Sequence, residues 1–330
     1  MPVMRPVAFS LHNLFADWQW TPFSLLVMAV VLAVAYWYLW ADWTLAGRGR
    51  RWPARRTVPF MAGLVAVDVA LQSPVAVFTQ SYFQAHVVQH LLLMLVAPPL
   101  LALGAPSTLL LQTASRRTKA RWLAVLRSRP FAVLTHPVTV WSLYFGVMFA
   151  FFLTPMINVA MNDMAIMDVV NVVFLFGGTL YWWPMVGIDP IVHWKMGHGA
   201  RMANILLGAA PETFLGVIIL LQRQPIASMY SLASTHAGGG LLWGSTEIFT
   251  VVAFVPIFLQ WVRAEERAGR RADERDARAK SLAHASADGD DGAPAPARWV
   301  SPAEGRRAAA WEAAFMAKAG SVPTEQSAEA

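Results

Sequence analysis

Residues 22–40 read PFSLLVMAVVLAVAYWYLW, a run of nineteen amino acids without a charged side chain. A helix rises about 1.5 Å per residue, so this run nearly crosses a hydrocarbon core about 30 Å thick. Inside a bilayer the backbone must satisfy its own hydrogen bonds, and a helix does so within one segment. The run therefore predicts a transmembrane helix.

Similar apolar runs follow along the rest of the 330-residue chain. The predicted spans lie at residues 22–40, 58–78, 83–103, 138–153, 169–186, 203–221 and 241–261. Only 14% of the residues are charged, whereas soluble domains contain roughly 25%. The runs are continuous rather than alternating, which favours helices over a β-barrel. We therefore predict an all-α polytopic membrane bundle of about seven transmembrane helices.

Basic residues are concentrated in alternate loops, after the first, third, fifth and seventh runs. The positive-inside rule then places the N-terminus outside and the C-terminus in the cytoplasm, as expected for a multi-pass protein of the cell membrane. Topology also explains the net charge of +6, so we predict a lipid bilayer and no nucleic acid as partner. The first twenty residues lack an apolar core, and we expect no cleavable signal peptide.

The composition changes after the last run. We expect residues 1–262 to form the transmembrane bundle and residues 263–330 to form a charged, partly disordered cytoplasmic tail. Basic and acidic residues alternate at helical spacing over 263–280, which predicts a solvated helix. Residues 281–297 are rich in Ala, Ser, Asp, Gly and Pro, and this composition is typical of a flexible linker.

The chain contains no cysteine, which excludes disulfides, zinc ribbons and iron–sulfur ligation. Any metal site must therefore use histidine, methionine or carboxylate side chains. The HExxH motif, the Walker motif and the dinucleotide-binding fingerprint are also missing. Since no nucleophile constellation is visible either, we do not predict an enzyme.

Two histidines lie in the third predicted span. His86 and His90 are four residues apart, so a helix places both imidazoles on one face, about 6 Å apart along its axis. Met94 follows four residues later. Two imidazoles and a thioether form a ligand set that suits copper, especially Cu(I). The same spacing also fits a histidine pair that hydrogen-bonds within the bundle, with a methionine that only packs.

Further candidate ligands lie on the same predicted outer side. Met161, Met164 and Met167 repeat at every third position, so a helical turn would align them. They can capture a soft metal, or they can belong to an interfacial apolar segment. His236 in the last outer loop and Glu247 in the outer half of the last span complete the candidate copper site.

Two more carboxylates, Asp68 and Glu212, are predicted near the middle of the membrane, where a charge is costly unless it is paired or protonated. We expect them to hydrogen-bond between helices with Asn171, Asn204 or Gln72. Together with Glu247, they also leave open a metal or ion transporter with a carboxylate path. A haem-binding redox protein is the other open alternative, with His86 or His90 and His236 as axial ligands.

The run HVVQHLLLMLVAPPLLALGAP at 86–106 resembles the signature of the CtaG family of cytochrome c oxidase assembly factors, the seven-helix type associated with caa-type oxidases. The segments GGTLYWWP at 177–184 and AGGGLLWGSTE at 237–247 are similar to later parts of that family and occur in the expected order. The resemblance implies a role in maturing a haem–copper oxidase, with oxidase subunits as partners. It also implies copper supply at the outer face, with His86 and His90 as ligands.

The chain departs from the family pattern at one place. Many relatives carry a second His-x-x-x-His shortly before the Trp-Trp-Pro motif, where this sequence has Met167 and Asn171. A methionine can replace a histidine as a ligand for Cu(I), whereas an asparagine is a poor replacement. The resemblance therefore implies either weaker metal binding or a shift toward scaffolding.

Overall fold

The computed structural model describes residues 18–190, 194 and 196–287, and every regular element within them is helical. The expectation about a signal peptide concerns residues outside this range. The elements in chain order are α1 (Pro22–Gly47), α2 (Ala54–Gln72), α3 (Pro74–Phe78), α4 (Phe83–Leu91), a π-helical turn (Leu92–Val96), α5 (Ala97–Leu103), α6 (Pro106–Thr113), α7 (Arg116–Leu126), α8 (Arg129–Leu134), α9 (Pro137–Leu153), α10 (Met156–Asn162), α11 (Met164–Val186), α12 (His198–Leu220) and α13 (Leu232–Ala287).

Six helical stretches in the described residues are long and apolar enough to cross a membrane. They are Pro22–Gly47, Ala54–Phe78, Phe83–Thr113, Met164–Val186, His198–Leu220 and Leu232–Leu282. The pair α9 and α10, bent by 75°, adds a seventh stretch if it counts as one span. The predicted all-α membrane bundle is thus confirmed. Which end of the bundle lies outside stays a prediction, since it depends on loop charge alone.

Several spans are longer than their apolar runs. Hydropathy marks the part of a helix that lies in hydrocarbon, but a helix continues into the interface until its backbone hydrogen bonds are interrupted. The first span ends at Gly47 and is followed by Gly49, whose φ of 74° leaves the helical region. Arg48 then donates to the carbonyls of Gln112 and Thr113 at the end of α6, at 3.0 and 3.2 Å.

A proline explains how the second and third spans pack together. Pro74 has no N–H, so the Ala70 carbonyl loses its usual partner within the helix. Gln89 on α4 supplies the missing hydrogen bond, with its side-chain amide 2.9 Å from the Ala70 carbonyl oxygen. Gln89 therefore fixes α4 against α2.

Two prolines also follow the π-helical turn in the third span. Pro98 and Pro99 lack the N–H groups that would bond back to the carbonyls of Met94 and Leu95. The helix accommodates this loss by widening over Leu92–Val96, a segment that begins two residues after His90. Gly178 of α11 packs directly against this segment, because a Cβ atom there would lie 3.0 Å from the Met94 carbonyl oxygen.

The chain divides into two compact units, residues 1–265 and 266–330. The division falls within α13, whose residues from 266 to 282 are exposed. The linker predicted over 281–297 is wrong for its first seven residues, since α13 continues to Ala287. The remainder of that linker lies outside the described residues, and the predicted boundary at residue 262 stays a prediction.

Candidate functional site

The start of α4 sets the position of both central histidines. The first N–H groups of a helix have no partner inside the helix. Here the N–H of Phe83 donates to the Ser234 hydroxyl of α13 at 2.7 Å. His86 and His90 follow about one and two turns into α4, and their side chains are 0% and 4% exposed. The sequence alone predicted the helix, whereas its capping by a distant serine required the tertiary structure.

His86 and His90 contact each other directly. Their Nε2 atoms are 2.7 Å apart, which is a hydrogen-bond distance, and the ring centroids are separated by 4.4 Å. The prediction that both imidazoles lie on one helix face is therefore confirmed. One of the two nitrogens must carry a proton and the other must accept it, because two lone pairs at this distance would repel each other.

Aromatic rings enclose the histidine pair. Phe174 lies closest to His90, with ring centroids 4.3 Å apart, and Phe151 stacks nearly parallel to His86 at 5.7 Å. The rings that contact one or both histidines are Phe83, Phe151, Phe152, Phe174 and Tyr230. This packing restricts the rotamers of both imidazoles and keeps them away from bulk water.

Tyr230 is the hydrogen-bond partner of His86 on its other side. The Tyr230 hydroxyl lies 3.3 Å from His86 Nδ1 and 2.6 Å from the Thr79 carbonyl oxygen. It is also 3.5 Å from the sulfur of Met161. Sequence reasoning missed Tyr230, which lies between α12 and α13 in no motif. A buried tyrosine in a polar connection gives no signal until the chain is folded.

The three evenly spaced methionines do not line one helical face, so that expectation is wrong. Met161 is buried at the end of α10, Met164 is 54% exposed at the start of α11, and Met167 packs against the core. The reason is Asp163, whose extended backbone interrupts the helix and whose carboxylate accepts hydrogen bonds from the first turn of α11. Among these three methionines, Met161 is the one that the fold connects to the histidines through Tyr230.

Met94 remains close to the pair despite the π-helical turn. It is buried and lines a small cavity of about 20 Å³ together with His90, Met148, Tyr144 and Glu212. The thioether therefore lies on the same side of the span as His90. Met94 thus shares a cavity with His90, and Met161 contacts Tyr230, the hydrogen-bond partner of His86.

His236 and Glu247 form other contacts. The Nε2 atom of His236 is 2.8 Å from the Gln222 carbonyl oxygen, and Glu247 accepts a hydrogen bond from Thr213 at 2.9 Å. Within the part of the chain that the structure describes, no group of three or more His, Asp or Glu side chains is arranged to hold a metal ion. The structure thus does not gather these two side chains with the pair, and their role as copper ligands stays a prediction.

Glu212 and Asp68 do not pair with the amide side chains expected from the sequence. Glu212 is 6% exposed and accepts a hydrogen bond from the Tyr144 hydroxyl at 3.0 Å. Gln72 donates to the Ser24 carbonyl instead of pairing with Asp68. Asp68 Oδ1 is buried without a hydrogen-bond partner among the described residues. The expected pairing of these carboxylates with the membrane amides is therefore wrong.

A wider apolar cavity of about 350 Å³ lies elsewhere in the bundle, between the third span, α11 and α13. Leu95, Trp182 and Pro256 are among the side chains that line it, and neither central histidine is. Its apolar walls suit hydrocarbon rather than a metal ion. We therefore take the small cavity beside His90, and not this one, as part of the candidate site.

Comparison with known proteins identifies a matching family model and several relatives. The family model described as cytochrome c oxidase caa3 assembly factor (Caa3_CtaG) matches residues 36–264, which contain both histidines and most of the bundle. Uncharacterised proteins from Mycobacterium bovis and Mycobacterium tuberculosis are each 28% identical over 262 residues, covering 74% of this chain and 39% of theirs. A Mycobacterium leprae protein is 25% identical over 277 residues, covering 78% of this chain and 41% of its own length.

The chain thus spans about 40% of the length of these curated relatives. No solved structure matches the chain. The family match extends from the first span into the last one and covers more than half of the sequence. On this evidence, the chain belongs to the Caa3_CtaG family of cytochrome c oxidase caa3 assembly factors.

Proposed function

We propose that this protein holds a copper ion, as Cu(I), between His86 and His90 and delivers it to a subunit of a haem–copper oxidase during assembly. The observation that carries this proposal is the pair of facing Nε2 atoms in a buried pocket. The family membership supports the assembly role. Delivery of an ion needs no bond-breaking catalyst, so the proposal is a binding function rather than an enzymatic one.

The two nitrogens are close enough to bind one metal ion after a small movement of the rings. Metal–imidazole bonds are about 2.0 Å long, so two such ligands on one ion lie roughly 3.3 to 4.0 Å apart. The Nε2 atoms are 2.7 Å apart as a hydrogen-bonded pair. The rings must therefore separate by about 1 Å, which small rotations of two side chains can provide.

Burial favours a monovalent ion at this site. The cost of removing an ion from water rises steeply with its charge, and the pair lies among aromatic rings. Neutral imidazoles and thioethers are ligands that suit Cu(I). Met94 and Met161 supply thioethers on two sides of the pair, near His90 and Tyr230 respectively.

The position of the pair also supports release at the outer face. His86 lies near the start of α4, next to the connection that contains Thr79 and at the opposite end of the third span from the arginine-rich α7. The charge rule assigns that end to the outside. A copper ion held there is therefore close to the face at which we propose the oxidase subunit docks.

The alternative functions receive less support. In the haem alternative, His236 and one of the central histidines would bind the iron from opposite faces of the macrocycle, but the Nε2 atoms of His86 and His90 already contact each other. His236 is engaged with the Gln222 carbonyl. For a transporter, Glu247 lies on an exposed face with Thr213, while Glu212 is buried with Tyr144. The proposal therefore remains copper binding.

The direct test is a titration of the purified protein with Cu(I) against a competing chelator. We expect one tightly bound ion per chain, and a loss of at least about 100-fold in affinity for the His86→Ala/His90→Ala double variant, because both anchoring ligands are removed. His136→Ala is the matched control, because His136 lies at the start of α9 and is not a candidate ligand, and it should bind like the wild type. Equal binding by the wild type and the double variant, or none by either, would contradict copper binding at this pair.

A further inference from the structure

The two ring nitrogens of His90 differ in their contacts. Its Nδ1 atom is fully enclosed and makes no hydrogen bond to any described residue. A buried polar atom of this kind is normally satisfied by a protein group or an ordered water. His86 has no such deficit, because Tyr230 lies beside its Nδ1 atom. The two imidazoles of the pair therefore differ in how their outer nitrogens are supported.

The direction of each hydrogen bond follows from the single proton that each hydroxyl or neutral ring can donate. Tyr230 gives its proton to the Thr79 carbonyl, which can only accept, at 2.6 Å. The Tyr230 oxygen therefore accepts from Nδ1–H of His86. His86 Nε2 then has a lone pair and accepts from Nε2–H of His90 at 2.7 Å. This leaves His90 Nδ1 as an acceptor that needs a donor.

The small cavity beside His90 offers a place for that donor. Its volume is about 20 Å³, and one water needs roughly 10–15 Å³ together with two or more polar partners. His90, Glu212 and Tyr144 all line it. Glu212 is buried, and one of its oxygens accepts from the Tyr144 hydroxyl, so its carboxyl group is held at the cavity wall.

We propose that one water in this cavity joins His90 Nδ1 to Glu212, which makes Glu212 a positioning residue for the histidine pair. The hydrogen-bonded chain then runs from Glu212 through the water, His90, His86 and Tyr230 to the Thr79 carbonyl. Each imidazole is supported at its outer nitrogen, His86 by a tyrosine and His90 by a carboxyl group through water. Glu212 itself does not contact the bound ion.

This inference deepens the copper-binding proposal and rests on it for its functional meaning. When an ion occupies both Nε2 atoms, His90 must carry its remaining proton on Nδ1. Metal-binding histidines normally donate that N–H to a carboxylate, a carbonyl or a water, and loss of the partner lowers metal affinity. A water held by Glu212 supplies this acceptor. The same link therefore supports His90 in both tautomers, with and without the ion.

The first test is independent of copper. We would record nitrogen NMR spectra of the metal-free protein with ¹⁵N-labelled histidine, using His90→Asn to assign the His90 signals. In the wild type, His90 should have an unprotonated Nδ1 that accepts a hydrogen bond. Glu212→Leu should move this signal downfield because the water loses its anchor, whereas Glu212→Gln keeps a polar group there and should resemble the wild type.

A second variant covers the case in which Glu212→Leu does not fold. Val87 also lines the cavity, and Val87→Ile adds one methylene group, enough to displace a water without touching the carboxyl group. We expect the same downfield shift of His90 Nδ1 in this variant. Glu247→Gln, which alters a carboxylate outside the cavity, serves as the control. A His90 signal that is identical in the wild type, Val87→Ile and any folded Glu212→Leu protein would overturn the proposal.

Copper titration of the same proteins separates this inference from the proposed function. Glu212→Leu should bind Cu(I) about 10- to 100-fold more weakly than the wild type, and Glu212→Gln should recover most of the difference. Equal weakening in both variants would count against the water link. If the wild type itself binds no Cu(I), the copper proposal fails, while the NMR result still decides whether Glu212 positions His90.

Discussion

At the scale of single residues, the central chemistry depends on how His86, His90 and Tyr230 share their protons. The contacts form a directed series. Tyr230 donates to the Thr79 carbonyl, His86 donates to Tyr230, and His90 donates to His86. A neutral ring has one proton to donate, so each bond fixes the direction of the next. The geometry of the candidate ligands is therefore set by groups that need not touch a metal.

Replacement of Tyr230 by phenylalanine should expose this dependence. Tyr230→Phe leaves the Thr79 carbonyl and His86 Nδ1 unpaired in a buried site, which should lower the free energy of unfolding by about 1–3 kcal/mol. Cu(I) affinity should fall about 10- to 100-fold, since the supporting partner of a ligand is lost. Thermal unfolding in detergent and chelator competition measure the two effects.

Tyr36→Phe is the control, because the Tyr36 side chain is 73% exposed in the first span. It should leave both stability and affinity unchanged. A Tyr230→Phe protein with wild-type stability and wild-type affinity would show that the hydroxyl does not support His86.

At the scale of helices and turns, prolines and glycines decide how closely the spans approach. The π-helical turn precedes Pro98 and Pro99, and Gly178 of α11 packs on the Met94 backbone in that turn. On the other side of the site, Gly238 packs against Phe83, which contacts His86 and Tyr230. The pocket walls therefore depend on backbone contacts as well as on side chains.

Adjacent glycines allow a matched test of this packing. A Cβ atom at Gly178 would lie 2.9 Å from Pro98 Cγ and 3.0 Å from the Met94 backbone, whereas one at Gly177 would meet nothing within 4 Å. Gly178→Ala should therefore destabilise the protein by about 1–3 kcal/mol. Gly177→Ala should be neutral or stabilising by up to about 1 kcal/mol, because alanine favours helices. Thermal unfolding measures the stability of both variants, and equal changes in the two would argue against close packing at Gly178.

A carboxylate outside the spans provides a test by pH. Asp189, 5% exposed in the segment after α11, accepts hydrogen bonds from the backbone N–H groups of Ser107 and Thr108 at the start of α6. Burial raises the pKa of Asp189, and the hydrogen bonds from Thr108 and Ser107 offset only part of that rise. The folded protein therefore holds this proton more tightly than the unfolded chain, in which the pKa is near 3.8.

The sign of the effect follows from this difference. As the pH rises above 3.8 and through the raised pKa, ionisation costs more in the folded state, so the free energy of unfolding should fall. Asp189→Asn removes that titration, and its stability should vary less with pH over this window. Unfolding temperatures of both proteins in detergent, measured from about pH 4 to 8, provide the comparison. A constant difference across the window would contradict the raised pKa.

At the scale of the whole molecule, orientation decides which compartment the histidine pair serves. Connections rich in arginine, such as the one that contains α7, alternate with connections that carry few charges, such as the one between α12 and α13. The positive-inside rule assigns the second group to the outside. Copper delivery at the outer face requires this assignment.

The absence of cysteine makes the orientation simple to measure. Gln224→Cys lies in the exposed connection between α12 and α13, and Ala120→Cys lies on the exposed face of α7. In intact cells a membrane-impermeant maleimide should label the first variant, and it should label the second only after lysis. The reverse pattern would invert the topology and place the histidine pair near the cytoplasm.

The amino-acid sequence by itself determined the all-helical membrane bundle and the shared face of His86 and His90, because both follow from local rules: apolar length and helical spacing. Predictions from the sequence were wrong where contacts between distant residues, or a local break in a helix, determined the structure. Asp163 interrupts the helix between Met161 and Met164, and Glu212 accepts a hydrogen bond from Tyr144 rather than from an amide side chain. The Tyr230 contact and the cavity shared by His90 and Glu212 join segments more than a hundred residues apart, so only tertiary packing could place them together.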